Sequence, residues 1–363
     1  MKVAIVWGTR PDITKFSPII KLLNKKNSTI IFTGQHYDYN MSMQFIDELG
    51  IRKPDYSMKL TKIQNTTTDR ATQIGEIILN LAKSISTIDP DAVIVHGDTN
   101  TTLAAAIASL KCSIPIAHIE SGLRSYDWRM PEEHNRISVD HISEFLFAPT
   151  DFAKKTLLQE KVHGKIYVAG NTSIDAVQQN VKKAEKKARF SLDKQEGDFV
   201  LVTLHRGENV DNPVTLSSII KGLLESHTKM IFLQHPRTVK QLRRFGLYKK
   251  IMDSKNILSV PPVGYFDMLY LMKKCKFIIS DSGGIQEEST SPAIRKKVLV
   301  LRKTTDRPEA TNLGYSELVG TTTGKIIKAI KKANENPNVP SNKNPYGTGH
   351  AAQKIINVLR RKI

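Results

Sequence analysis

The chain has very little cysteine: Cys112 and Cys275 are the two thiols in 363 residues. They share no CxxC spacing, which argues against a disulfide framework or a cysteine-built zinc site and fits a reducing, cytoplasmic setting. Long apolar runs are missing too. Stretches such as 104–108 and 298–301 are far too short to span a bilayer, so membrane insertion is not expected. The N-terminus enters a strand pattern at once, MKVAIV, without the apolar segment of a signal peptide. Aromatic residues are sparse, and no run interleaves them with Lys or Arg as single-strand nucleic-acid binders do. Acidic residues are outnumbered, 35 against 54 basic, for a net charge of +19. Such an excess fits nucleic acid, a membrane surface or an anionic small molecule. The absent interleaving speaks against nucleic acid, and much of the charge lies on solvated helix faces such as 182–189.

What is present is a regular alternation. Apolar runs at 3–6, 29–32, 92–95, 114–119, 145–147 and 166–168 read as strands, and a second series follows at 199–204, 230–233, 257–260, 277–279 and 298–301. Helical patterns fit between them, for example 12–23, 68–84 and 101–110. Unbroken apolar strands alternating with helices predict an α/β fold with parallel sheets covered on both faces. A length of 363 residues exceeds what one core usually serves. Two Rossmann-like domains, 1–170 and 171–345, are therefore expected, with the boundary at Gly170-Asn171-Thr172. A closed βα barrel is the competing architecture. An Asn- and Pro-rich loop, 336–344, precedes a final helix at about 351–361.

The most informative segment is FIISDSGGIQEE (277–288): a strand, a Ser-Gly-Gly turn, and the start of a helix. Adjacent glycines let backbone N–H groups approach a ligand, and the helix start carries unpaired donors, which suits a diphosphate. Glu288, one turn deeper, can then accept hydrogen bonds from a ribose diol. The same segment also fits a plain glycine turn whose glutamates complement the helix dipole.

Ligands of parallel α/β sheets bind outside the carboxyl ends of the strands. Five polar clusters occupy that place. Gly8-Thr9-Arg10-Pro11, with Lys15 one turn on, offers two cations for an anion. Asp98 in HGDT and Glu120 in HIESGLR follow consecutive strands, which usually neighbour each other. Two such carboxylates repel, which tunes one of them for acid–base work. Capping of nearby helices is the competing explanation. MPEEHNR (130–136) has Pro131 at a helix start with glutamates in the first turn, which structure alone explains. His205, in TLHRGEN, and His235, after the next strand, could each carry a proton near neutral pH. His134 and His141 share a helix face seven apart, but no HExxH spacing points to a metal. A GxGxxG fingerprint after the first strand, a serine elbow and a P-loop are all absent.

Taken together and in order, eleven segments resemble the UDP-N-acetylglucosamine 2-epimerase family of the non-hydrolysing type. They are GTRPDITKFSPII (8–20), TGQHYD (33–38), HGDTNTTLAAA (96–106), HIESGLRSYD (118–127), MPEEHNR (130–136), FAPT (147–150), GNTSIDAV (170–177), TLHRGENVDN (203–212), SDSGGIQEE (280–288), TTDRPEA (304–310) and NPYGTGH (344–350). The resemblance implies a glycosyltransferase-B-like architecture with an interdomain cleft, and a C-terminal helix, 346–363, that packs back on the first domain. It implies interconversion of UDP-GlcNAc and UDP-ManNAc: UDP is eliminated as the C2 proton leaves, then re-added after proton return on the other face. No cofactor is consumed, and a homodimer is usual. By position, Asp98, Glu120, Glu132 and His205 resemble the acid–base and charge-stabilising set. Arg10, Lys15, Arg136, His235, Ser282, Gly283, Gly284, Glu288 and Arg307 resemble the UDP-sugar ligands.

The chain departs from the family pattern in three places. Asp12 stands where Glu is common, 289–298 is longer than the usual Gly-Lys-Pro turn, and Asp38 occupies a position where a Gln often serves an activating second substrate. The motifs do not separate the non-hydrolysing reaction from its hydrolysing counterpart, which releases ManNAc and UDP. They are also compatible with a sibling epimerase of a UDP-diacetamido uronic acid, a sugar transferase of glycosyltransferase-B type, or a non-catalytic nucleotide-sugar sensor.

Overall fold

A computed structural model describes residues 1–34, 39–61, 67–192, 198–339 and 343–363. Asp38 lies outside them. The chain forms two compact units, Met1–Ala176 with Tyr346–Ile363, and Val177–Pro345.

The first unit holds a seven-stranded sheet of β1 (Val3–Trp7), β2 (Ser28–Phe32), β3 (Tyr56–Ser57), β4 (Ala92–His96), β5 (Ile116–Ile119), β6 (Phe145–Ala148) and β7 (Lys165–Val168). The order is β3-β2-β1-β4-β5-β6-β7, every pair parallel. β1, β4, β5 and β6 are buried along their whole length, as their unbroken apolar sequences require. Helices Thr67–Ile88 and Asn100–Lys111 pack together through Ile77, Leu81 and Ile85 on one side and Ala104, Ala105 and Ala108 on the other. Small alanines allow that close approach.

The second unit holds a six-stranded sheet of β8 (Val200–Thr203), β9 (Met230–Leu233), β10 (Ile257–Val260), β11 (Ile278–Ser280), β12 (Val298–Val300) and β13 (Ser316–Leu318), in the order β10-β9-β8-β11-β12-β13. All its pairs are parallel as well. Each sheet reverses its winding beside its first strand, between β1 and β4 and between β8 and β11. Ligands of open α/β sheets bind at such points. Two open sheets exclude the closed barrel.

All eleven apolar runs form strands. The two strands that the apolar pattern did not predict, β3 and β13, are edge strands of two and three residues. The passage from one unit to the other falls within helix Thr172–Lys187. Its first turn stays with the first unit because Asp175 accepts hydrogen bonds from the N–H groups of Ala351 (3.1 Å) and Ala352 (2.9 Å), at the start of helix Ala351–Lys362. That helix buries Ala352, Ile355, Ile356 and Leu359 and packs on helix Arg10–Leu22. No helix among the described residues is long and apolar enough to cross a membrane.

Candidate active site

The first unit gathers its polar clusters at the carboxyl ends of β1, β4 and β5. After β1 the chain turns at Gly8, where a Cβ would lie 2.0 Å from Thr101 Oγ1 and 2.7 Å from Thr33 Oγ1, so glycine is required there by packing. Asp12 ties the turn down, accepting from the N–H groups of Thr9 (2.9 Å) and Gly8 (3.2 Å). Burial pushes its carboxyl up to about 6, against the pull of those hydrogen bonds and of Lys15. Arg10 begins the helix and is half-buried.

The register Val95↔His118 makes β4 and β5 neighbours, as their order in sequence predicts. The two carboxylates beyond them each lie against a cation. Lys15 donates to Glu120 inside the protein, Asn171 adds a longer contact of 3.4 Å, and His96 Nε2 is 3.6 Å from the same oxygen. Asp98 is half-buried and receives Arg136. Glu120 also sits in the left-handed backbone region, φ 70°, a conformation that costs a side-chain-bearing residue on the order of 1–3 kcal/mol and often marks a working residue.

Arg136 bridges Asp98 to the buried Glu133 at 2.7 Å. Burial would raise the Glu133 carboxyl, but the N–H groups of Ser125 and Tyr126 together with Arg136 hold it below the ordinary range. Glu132, one residue earlier in helix Pro131–Ile142, is half-buried. Behind Glu120, His118 places Nδ1 2.7 Å from Asp140 and Nε2 2.9 Å from the Gly97 carbonyl, while Arg124 meets Asp140 at 2.8 Å. Asp140 is fully buried, which opposes its charge, yet His118 and Arg124 keep its carboxyl below the usual range. This network ties the segment before Asp98 to the segment after Glu120. His134 is structural, with Nε2 2.9 Å from the Trp128 carbonyl.

In the second unit the corresponding places follow β8, β9 and β11. Thr203 pairs with Ser280, which brings the segment at His205 beside Asp281. Asp281 is fully buried and accepts from the backbone N–H groups of His205 (3.1 Å) and Arg206 (3.0 Å). The His205 and His235 rings are 5.4 Å apart. His235 caps helix Pro236–Arg244, its Nδ1 accepting from the Arg237 N–H at 3.2 Å.

Ser282 caps the short helix Gly283–Glu288. Neither Gly283 nor Gly284 has a positive φ, and a Cβ on either would meet nothing of the chain closer than 3.5 Å. The fold does not demand these glycines. Glu287 is buried against Arg307, which also meets Asp306 at 2.8 Å. Glu288 lies 3.5 Å from the buried Tyr265 hydroxyl. Burial and the nearby Glu288 charge push that phenol well above its ordinary range, so it stays a neutral donor.

Comparison with known proteins decides the family. The profile of UDP-N-acetylglucosamine 2-epimerase matches residues 21–360. The chain belongs to the UDP-N-acetylglucosamine 2-epimerase family. It is 42% identical to a UDP-N-acetylglucosamine 2-epimerase of Methanocaldococcus jannaschii over 371 aligned positions, 99% of each chain. A crystal structure of the M. jannaschii UDP-GlcNAc 2-epimerase in complex with UDP-GlcNAc and UDP superposes with a TM-score of 0.91 at 40% identity, covering 99% of this chain and 100% of that one. A structure of MurG from Acinetobacter baumannii, 10% identical at a TM-score of 0.55 over 99% of this chain and 100% of that one, shares the glycosyltransferase-B-like fold alone.

Within this epimerase-family chain, the first unit carries Arg10, Lys15, Asp98, Glu120, Glu132 and Arg136, and the second carries His205, His235, Ser282, Gly283, Gly284, Glu288 and Arg307. Lys15 and Arg136, expected among the UDP-sugar ligands, lie against Glu120 and Asp98. Sequence reasoning assigned nothing to Asp281, Glu133, Asp140 or Tyr265. A signal was present for Asp281, a carboxylate directly before a glycine turn at a strand end. Among the described residues, no group of three or more His, Cys, Asp or Glu could hold a metal ion.

Proposed function

We infer that the protein is a non-hydrolysing UDP-GlcNAc 2-epimerase, an isomerase that interconverts UDP-GlcNAc and UDP-ManNAc. The observation that carries this reading is its 42% identity, over 99% of the chain, to a UDP-GlcNAc 2-epimerase. The chemistry of its residues supports it. The C2 proton of the sugar is weakly acidic, so its removal needs a base and the concerted departure of UDP. A carboxylate or histidine takes that proton, the C1–oxygen bond breaks toward the diphosphate, and a C1=C2 double bond forms. Return of a proton to the opposite face of C2, with re-formation of the C1–oxygen bond, gives the epimer. The reaction is redox-neutral and consumes no nicotinamide.

In this reading Asp98, Glu120, Glu132 and His205 share the proton transfers and the stabilisation of charge. Arg10 and the Ser282-Gly283-Gly284 turn receive the leaving diphosphate, whose charge grows as it departs. Glu288 holds the ribose diol, with Arg307 and His235 beside the nucleotide. Lys15 and Arg136 meet the sugar end while steadying Glu120 and Asp98. An excess of basic residues steers a dianionic substrate inward.

The test is incubation of the purified protein with UDP-GlcNAc in D2O, followed by proton and phosphorus NMR. UDP-ManNAc carrying deuterium at C2 is the expected product. Free UDP with free N-acetylmannosamine would replace this reading with the hydrolysing reaction. An unchanged spectrum would overturn it.

A further inference from the structure

Asp281 is a buried carboxylate that the reaction as outlined leaves without a role. It stands where β11 gives way to the Ser282-Gly283-Gly284 turn, and it faces the segment that follows β8. Its Oδ1 accepts from the His205 N–H at 3.1 Å, and its Oδ2 from the N–H of Arg206 and the side-chain amide of Asn209, both at 3.0 Å. Asn209 also donates to the Leu301 carbonyl at 2.7 Å. The His205 ring turns back on the same carboxylate, with Nδ1 3.5 Å from Oδ1.

We propose that Asp281 is a positioning residue that fixes both the place and the tautomer of His205, leaving the lone pair of Nε2 to take up the proton. The inference rests on the reading of His205 as an acid–base group of the epimerase. An ionised carboxylate only accepts hydrogen bonds, so the ring nitrogen that faces it bears the hydrogen and the lone pair falls to Nε2. At 3.5 Å the contact is longer than a normal hydrogen bond, and catalytic hydrogen bonds often tighten in the Michaelis complex. The carboxylate also stabilises the imidazolium once Nε2 has taken a proton.

His235 provides an internal contrast. Its Nδ1 accepts from the Arg237 N–H, so that nitrogen bears the lone pair and the hydrogen sits on Nε2. Two histidines with rings 5.4 Å apart are thus held in opposite tautomers. One is set to accept a proton at Nε2 and the other to donate a hydrogen bond there. Asp281 sets the first and the Arg237 N–H the second.

A double-mutant cycle tests this on the full chain, using UDP-GlcNAc turnover, C2 exchange in D2O and UDP affinity by calorimetry. Asp281→Asn should keep a cooperative melt, leave KM and the UDP Kd within about threefold, and lower kcat about 100-fold, within the range general acid–base groups command. In a His205→Ala background the same change should cost nothing further, because Asp281 acts through His205. A wild-type kcat in Asp281→Asn, or a loss that persists in the His205→Ala background, overturns the proposal. If Asp281→Asn does not fold, Asn209→Ala removes one of the donors that hold the carboxylate. It should lower kcat about tenfold, again only when His205 is present; a loss independent of His205 overturns the proposal. Absence of turnover in the wild type sinks the epimerase reading and this inference with it, whereas turnover with an unimpaired Asp281→Asn sinks this inference alone.

Discussion

Lys15 and Glu120 form an ion pair inside the first unit, joining the second turn of helix Arg10–Leu22 to the end of β5 across 105 positions of sequence. Both side chains are almost fully buried. Two charges withdrawn from water are tolerable together, and either alone is not. Lys15→Met should therefore destabilise the protein by about 3–5 kcal/mol, the usual cost of leaving one buried partner without the other. Adding Glu120→Gln should recover most of that loss while activity stays absent. Urea denaturation of the two single variants and the double variant measures this. Additive losses would show that the pair does not act as a unit.

Gly283 gives a cleaner view of ligand against fold. An alanine there meets only ordinary contact, 3.5 Å from Arg307 Nη2, with no positive φ to strain it. Gly283→Ala should therefore leave stability within about 1 kcal/mol of wild type. If backbone N–H groups of this turn receive the diphosphate, the added methyl should weaken UDP binding about tenfold or more, or about 1.4 kcal/mol. Gly8→Ala is the counter-example, since its Cβ collides with Thr101 and Thr33. It should lose about 1–3 kcal/mol by overpacking. Calorimetric UDP titration beside thermal melts separates the two, and an unchanged UDP affinity in Gly283→Ala would remove the turn from the binding site.

These cases mark what was legible in the sequence. Nine of the eleven apolar strands could be read because burial on both faces leaves a near-unbroken apolar run, β7 and β10 because they carry apolar residues although partly exposed, and the glycine turn because its composition is distinctive. β3 and β13 could not, because two and three residues are too few to form an apolar run: Tyr56-Ser57 is exposed and Ser316–Leu318 mixes polar and apolar residues. The contacts of Glu133 are also invisible in the string. In space it meets Ser125, Tyr126 and Arg136. The pairing of Asp98 and Glu120 with each other was expected from the sequence; what the structure shows is a cation against each. Their cations come from Arg136 and Lys15, which sequence spacing does not bring near.

Turnover and binding should separate in the proposed acid–base set. Asp98→Asn keeps the shape of the side chain beside Arg136 and removes only its charge. His205→Ala removes a ring without touching the glycine turn. Each should lower kcat by about 10²–10⁴-fold, the range a lost general acid or base accounts for, while UDP still binds. Progress curves from UDP-GlcNAc together with UDP titration check both. Near-wild-type turnover in either variant would refute its assigned role.

Asp12 makes stability depend on pH in a defined direction. Its carboxyl is raised from 3.8 to about 6 by burial, even though Thr9, Gly8 and Lys15 all favour the charged form. The folded protein thus holds that proton more tightly than the unfolded chain does. The resulting stabilisation is complete below about pH 4 and is lost as pH rises through about 6. At 1.36 kcal/mol per pH unit the loss reaches about 3 kcal/mol at neutral pH. Asp12→Asn keeps an oxygen for the N–H groups of Gly8 and Thr9 and carries no charge to bury. It should be more stable than wild type by up to about 3 kcal/mol at pH 8, with the gap closing by pH 4. Urea titrations at pH 8, 6 and 4 follow the gap directly. A gap that does not change with pH, or a variant weaker than wild type at pH 8, would mean that the hydrogen bonds to the carboxylate outweigh its burial.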